Sequence, residues 1–501
     1  MCDGTGSSGG SAGDWAPDEL RDAGIALLDR LAVHFDSLDT QRVRPADLSE
    51  ERIAAPFRAP LPERGTGFTE LLDRTWRDVV PGLTQWNHPG HHAYFSNSSS
   101  APAMLGELFT AAFNVNVMVW ESAPAAAAVE RQTLDWLAEL CGLDWFDADS
   151  VLVDGASLAT CYALCAARQR LCGHNWREDG ASGAPRLRIY CTDQTHSSVA
   201  KAAIALGIGT RNLMQLRADD GVLSPAGLRE AVLADRSRGF VPLAVVANLG
   251  TTNVAAIDPV EEIAEVCHEE DVWLHVDAAY GGFWRIVPEI AEMLPSLAGA
   301  DSVVANPHKV LFCPMEASAL FVRHPAALRE TFSLVPEYLR TSTDDDRLDH
   351  MNYSLQLGRQ FRALKVWWVL QSFGREGLRS RLERSVRLAE SLTTRVDEHP
   401  HWRPAHRSPL PLVTMVYDDP ARGAEDGDRV AAEVHRLVNA EGSSAVSHTR
   451  YQGRYALRVS LGNIHTAHRH IESLWDSIRR AEKTVLEGVE RGSDDHDPVR
   501  P

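Results

Sequence analysis

The chain has 501 residues, 44% of them apolar and 24% charged, with a formal net charge of -19 at pH 7. That length exceeds what one small core organises and implies two or three domains of an ordinary soluble globular protein. The acidic balance argues against nucleic acid as a partner, since phosphate backbones need a basic face, and the eight scattered cysteines argue against a disulfide scaffold and for a reducing cytoplasm.

Residues 1–14 form a Gly/Ser-rich tail that lacks the basic and apolar regions of a secretory signal and is expected to be disordered. No stretch reaches the roughly 18 uninterrupted apolar residues that span a bilayer, so no membrane partner is expected. Leu20, Ile25, Leu28, Leu31 and Val33 recur at helical spacing and predict a helix over 17–38. A Pro-rich passage at 45–62 and a second helical pattern at 68–80 follow. This segment, 15–99, is too thin to enclose a core and is expected to pack on another domain or a partner subunit.

Beyond residue 100 the pattern alternates. Short apolar runs at 150–153, 186–191, 241–248, 272–276, 302–305 and 317–322 predict strands, and 158–170, 197–206 and 259–269 predict intervening helices. Such alternation predicts an α/β domain over 100–375, with a mostly parallel sheet flanked by helices. Helical patterns at 359–371 and 378–395 lead into a smaller α+β domain over 376–485, with strands at 412–417 and 455–460. A polar tail is expected over 486–501.

Two signals in this frame carry chemistry. Asp277, in His275-Val276-Asp277-Ala278-Ala279-Tyr280, leaves a buried strand, and Lys309 closes Asn306-Pro307-His308-Lys309. Either alone fits an ordinary strand end or a surface lysine. The ordered pair suits pyridoxal phosphate, with Lys309 forming a Schiff base to the aldehyde and Asp277 holding the pyridine nitrogen protonated. Asp154-Gly155-Ala156-Ser157 precedes a helix, where free N–H groups and the Ser157 hydroxyl can bind phosphate, although such a turn is also a generic helix start. Cys161, Cys165, Cys172 and His174 lack the paired knuckles of a structural metal site and read as packing residues, so no metal is expected. His88, His91 and His92 have no carboxylate at ligand spacing and read as pocket or interface residues.

Seven segments in order carry a family resemblance: Trp86-Asn87-His88-Pro89, Ala93-Tyr94-Phe95, Asp193-Gln194-Thr195-His196-Ser197-Ser198, Leu249-Gly250-Thr251-Thr252, the Asp277 and Lys309 runs, and Leu357-Gly358-Arg359. On these the chain resembles the group II pyridoxal-phosphate decarboxylases, closest to the aromatic L-amino acid decarboxylase branch, over about 15–481. The resemblance implies fold type I (aspartate aminotransferase-like) and a homodimer with active sites at the subunit interface. It makes Lys309 the Schiff-base lysine, Asp277 the pyridinium partner and His196 the histidine stacked on the ring near the substrate carboxylate. Ala156, Ser157, Asn306 and His308 would serve the phosphate, and Thr252, Ala279 and Asn97 would also contact the cofactor. Trp86, His92, Tyr94 and Met118 would face the substrate. Tyr338, before the polar stretch 340–349, would protonate the α-carbon after CO2 leaves; relatives with phenylalanine there yield an aldehyde.

Some positions depart from the family pattern. Ser96-Asn97 stand where proline and a hydroxyl residue are usual, Val310 replaces a tryptophan, and Glu316-Ala317-Ser318 replaces Asp-Cys-Ser. Asn114-Val115-Asn116-Val117-Met118 has a flavour of the glutamate branch. The implied reaction is decarboxylation of an L-amino acid, aromatic (tryptophan, tyrosine, phenylalanine or dopa), to its amine. An oxygen-dependent aldehyde synthase and a decarboxylase of an acidic amino acid stand as alternatives. So do an aminotransferase and a catalytically silent scaffold.

Overall fold

The computed structural model describes residues 14–145, 148–171, 173–216, 220–334 and 348–494. The six expected apolar runs become strands, joined by one more, in a seven-stranded sheet: β1 (Asp149–Val153), β2 (Leu187–Thr192), β3 (Leu213–Leu216), β4 (Val241–Asn248), β5 (Trp273–Asp277), β6 (Ser302–Ala305) and β7 (Ser318–Val322). Their order is β1-β7-β6-β5-β4-β2-β3, with β7 antiparallel to both neighbours and β2 to β6 running parallel.

Alternation along each strand divides the core into two faces. Val245, Leu274 and Val303 pack with the helices Pro124–Leu140, Pro225–Ser237 and Val260–Glu269. Ala244, Val246, Trp273 and Val304 point the other way, onto Ala156–Gln169 and Ser198–Ala205. Sealing both faces lets the central strands be apolar at nearly every position. Each large aliphatic side chain fully buried there contributes about 1.5–3 kcal/mol.

A second sheet contains β8 (Trp402–His406), β9 (Leu412–Tyr417), β10 (Ser447–Tyr451) and β11 (Arg454–Ser460), antiparallel in the order β10-β11-β9-β8. The helices Ala424–Glu441 and His468–Asp494 pack on it. The helical stretch Ala363–Glu398 connects the two sheets. The sequence pattern expects two helices here, and the structure has two: at Gly374 the backbone leaves helical values (φ 59°, ψ 177°), so they meet at a kink without an intervening loop. The polar tail expected from 486 starts as the last turns of His468–Asp494, because Val485 and Leu486 still pack on the small-sheet core.

Three strands escaped the pattern, and all three are sheet edges. β3, β8 and β10 each pair on one side only, and each is mostly half-buried or exposed, β3 having no buried residue at all. β1 is an edge too but was legible because Val151, Leu152 and Val153 are all buried; an edge strand that keeps exposed positions has no such apolar run to betray it.

The N-terminal segment has little core of its own. Helix Pro17–Asp36 buries no residue, and Phe68–Arg74 passes into a π-helical stretch at Thr75–Val79. Val43 fastens the segment to the small-sheet unit: its N–H donates to Gly442 O at 2.9 Å and its carbonyl accepts from Gln85 N–H at 2.8 Å.

Candidate active site

The parallel strands deliver their chemistry at their carboxyl ends, where backbone direction changes and side chains can converge. Asp154 and Gly155 follow β1, the His196 turn follows β2, and Asn248 and Asp277 close β4 and β5. Asn306 follows β6 and begins the short helical turn Pro307–Val310 that carries Lys309. Between them lies a cavity of about 200 Å³, and Lys309, Asp277, His196, Ala156, Ser157, Thr252, Ala279, Asn306 and His308 all line it. A larger groove of about 510 Å³ along 41–85 carries none of these groups.

One end of the cavity is cationic and aromatic. Phe95 stacks on Tyr280 with ring centroids 4.1 Å apart. Lys309 Nζ and the Arg458 guanidinium each sit 4.7 Å from the Phe95 ring centre. Desolvation lowers the Lys309 ammonium pKa; the Asp277 carboxylate opposes that shift and Arg458 adds to it. A lysine so placed is a better nucleophile near neutral pH than a free one. Arg458 has no carboxylate partner among the described residues. It donates to Thr252 O at 2.9 Å and to the Tyr94 carbonyl, and burial pushes its pKa down to about 10.

His196 is held by its own turn. Thr192 N–H donates to Thr195 Oγ1 at 3.1 Å, and Asn248 Nδ2 reaches the same hydroxyl at 3.1 Å. Ser198 Oγ lies 2.9 Å from His196 Nδ1, and Ser198 N–H donates to that nitrogen at 3.2 Å. Nδ1 is therefore the acceptor and Nε2 carries the proton of the neutral ring. Desolvation lowers the His196 pKa, against the pull of Asp277. Asp277 itself is braced by Ala279 N–H at 3.1 Å.

The other end is built for an anion. Helix Ala156–Gln169 starts at Gly155 without a side-chain cap, so its first N–H groups are left for an external acceptor. Ser157 is exposed beside them. Asn306 is 1% exposed, and its Oδ1 is buried with no hydrogen-bond partner. His308 Nδ1 lies 2.6 Å from Ala317 O, and burial drives the ring down to about 4, so it is neutral. A basic lysine at one end and open amides at the other fit a phosphorylated aldehyde.

Five expected residues do not line the cavity. Asn97 is turned into the core, where Nδ2 donates to Cys313 O at 3.2 Å. His92 is fully buried against the small sheet, with its N–H on Ala445 O at 2.8 Å and its carbonyl accepting from Ser460 N–H at 2.9 Å. Met118 packs with Val119 and Met351. Trp86 and Tyr94 stack on each other at 5.7 Å and face outward, 39% and 63% exposed. Tyr338 lies outside the described residues. The sequence reading passed over Arg458, Tyr280, Asn248 and Met315, which lie beside or line the cavity. Arg458 comes from a strand of the other sheet, with no local pattern to mark it.

A fold type I cavity with a lysine, an aspartate and an open helix start defines a pyridoxal-phosphate enzyme. Residues 52–417 match the model of the pyridoxal-dependent decarboxylase conserved domain. Drosophila melanogaster histidine decarboxylase is 34% identical over 484 residues, covering 94% of this chain and 56% of that protein. Phenylacetaldehyde synthase from a Rosa hybrid cultivar is 32% identical over 495 residues, covering 94% and 95%. The crystal structure of Oryza sativa TDC with PLP and tryptamine superposes with a TM-score of 0.90 at 30% identity, over 94% of this chain and 99% of that one. The chain belongs to the pyridoxal-dependent decarboxylase family and is a PLP-dependent carboxy-lyase acting on an amino acid.

Proposed function

We propose that this enzyme decarboxylates an aromatic L-amino acid to its amine, with Lys309, Asp277 and His196 as the catalytic groups. The observation that carries this is their convergence on one cavity whose wall is the Phe95–Tyr280 stack. Bound pyridoxal phosphate supplies the electron sink for the pair left by CO2. Lys309 Nζ would hold the cofactor through its aldehyde. Asp277 would favour a proton on the ring nitrogen by its charge. His196 Nε2–H is free to donate toward the substrate carboxylate. Ala156, Ser157, Asn306 and His308 would hold the phosphate, while Thr252 and Ala279 would bound the ring.

The homodimer belongs to the same reading. Leu20, Ile25, Leu28 and Val33 on the first helix, and Leu105, Leu108 and Phe113 on Ala101–Phe113, are exposed. So much apolar surface on these two helices favours a partner subunit. Trp86 and Tyr94 then serve the neighbouring cavity, with Asn97 and His92 holding the loop that presents them, and Met118 joins them from the segment after Ala101–Phe113. The bend at Gly374 supports division of the chain into 15–99, 100–375 and 376–485. A cytoplasmic location rests on the free thiols of Cys141, Cys161, Cys165, Cys191, Cys267 and Cys313.

The reading is tested with purified enzyme, added pyridoxal phosphate and a panel of aromatic, imidazole and acidic amino acids, the products being read by mass spectrometry. Conversion of one aromatic substrate to its amine supports it; turnover of glutamate or aspartate alone refutes the substrate class. Tyr338→Phe is expected to shift the product from amine to aldehyde with peroxide and ammonia. Unchanged products would remove Tyr338 as the proton donor.

A further inference from the structure

Asp154 puts a carboxylate where an anion-binding turn has least use for one. It follows β1, directly precedes Gly155 and lines the cavity at the open helix start. A phosphate carrying close to two negative charges would be repelled by it. The structure answers that charge from a single run of chain. Gln356 Nε2 donates to Asp154 Oδ2 at 2.6 Å, and the Arg362 guanidinium forms an ion pair with Asp154 Oδ1. Arg362 is 7% exposed, and Asp154 is its only paired carboxylate among the described residues.

The run that carries these two side chains is itself fixed. Arg359, between them, donates from Nη2 to Glu130 Oε1 at 2.7 Å and to Leu152 O at 2.8 Å, while Leu152 N–H donates to the same Glu130 oxygen at 3.1 Å. Glu130 and Arg359 thus satisfy the outward edge of β1, two residues before Asp154. Asn116 Oδ1 accepts from Arg359 N–H at 2.9 Å, and Arg359 O accepts from Val117 N–H at 2.9 Å. Gln356, Arg359 and Arg362, spaced three apart, meet the end of one strand and the turn beyond it.

We infer that Arg362 is a positioning residue for the cofactor phosphate, cancelling the Asp154 charge and, with Gln356, fixing the turn that receives it. This rests on the assignment of the Gly155-Ala156-Ser157 turn to phosphate. The device makes phosphate affinity depend on a residue that is one helical start away from the cavity rather than in its wall.

Pyridoxal, which lacks the phosphate, separates this role from a merely structural one. Apo-enzyme is titrated with pyridoxal phosphate and with pyridoxal, following the visible band of the lysine-bound cofactor. Arg362→Gln is expected to weaken pyridoxal phosphate about tenfold or more and to leave pyridoxal within about twofold. Adding Asp154→Asn to that variant is expected to restore most of the loss, because the uncompensated charge is gone. Equal weakening of both ligands, or no recovery in the double variant, overturns the inference. Should Arg362→Gln not fold, Asp154→Asn alone decides: retained or tighter phosphate binding supports the inference, and a tenfold loss overturns it. Ser157→Ala tests the underlying assignment separately. A narrowed gap between the two ligands supports the turn as the phosphate site, and an unchanged gap removes that assignment and this inference with it.

Discussion

The two ends of the cavity handle charge in opposite ways. At the lysine end, Lys309 and Arg458 share one aromatic ring, and Arg458 has no carboxylate partner among the described residues. At the helix-start end, Asp154 is met at close range by Arg362 and Gln356. A site that must move protons and exchange amines benefits from groups whose charge state is loosely set. A site that must only grip benefits from charges already cancelled.

Removing Lys309 breaks the first end alone. Lys309→Ala is expected to cut CO2 release by more than about a thousandfold, while pyridoxal phosphate still binds without the visible band of the lysine-bound form. Retained turnover in that variant would overturn the central assignment. Arg458→Met sharpens the contrast, because it deletes a cation that depresses the Lys309 pKa. The Lys309 pKa then rises, and the rate of cofactor attachment against pH is expected to shift toward alkaline pH. An unmoved profile would show that Arg458 acts on Lys309 by packing only.

Acid should loosen the whole frame rather than one end. Burial holds His275, His308 and His91 at about 4 and His92 at about 3, against about 6.5 in an unfolded chain. Between those values the unfolded state binds more protons, so stability rises with pH there and is lost as pH falls below about 6.5. Each group costs on the order of 1–2 kcal/mol by pH 5. The denaturant midpoint of apo-enzyme is expected to drop from pH 7 to pH 5, and a flat midpoint would contradict neutral buried rings. Smallest and remote from both ends is Gly374→Ala. No neighbouring atom obstructs a Cβ there, so the expected cost is that of the glycine-favouring backbone alone (φ 59°, ψ 177°), about 1–3 kcal/mol in thermal unfolding.

The large sheet was mostly legible because its central strands are sealed on both faces and therefore spell apolar runs. Val241–Asn248 and Ser302–Ala305 coincide with their expected bounds, and the others differ by one residue at one end or both. β3, β8 and β10 were missed for the reverse reason, since edge strands with exposed positions carry no such run. The two helices expected over 359–371 and 378–395 were legible from their separate apolar patterns, and they meet at Gly374, whose non-helical backbone kinks the chain between them.

The site divides in the same way. Asp277 and Lys309 were legible because each sits in a compact run beside a buried strand. By itself the sequence determined the sheet class, the cofactor chemistry and the residues at the strand ends, since these depend on local pattern. Only the tertiary structure decided that Arg458 reaches Phe95 from the other sheet, that Arg362 covers Asp154 from 208 positions along the chain, and that Trp86 and Tyr94 face away from their own cavity. Those are long-range contacts, selected by desolvation and charge pairing once the elements have packed, and no short segment encodes them.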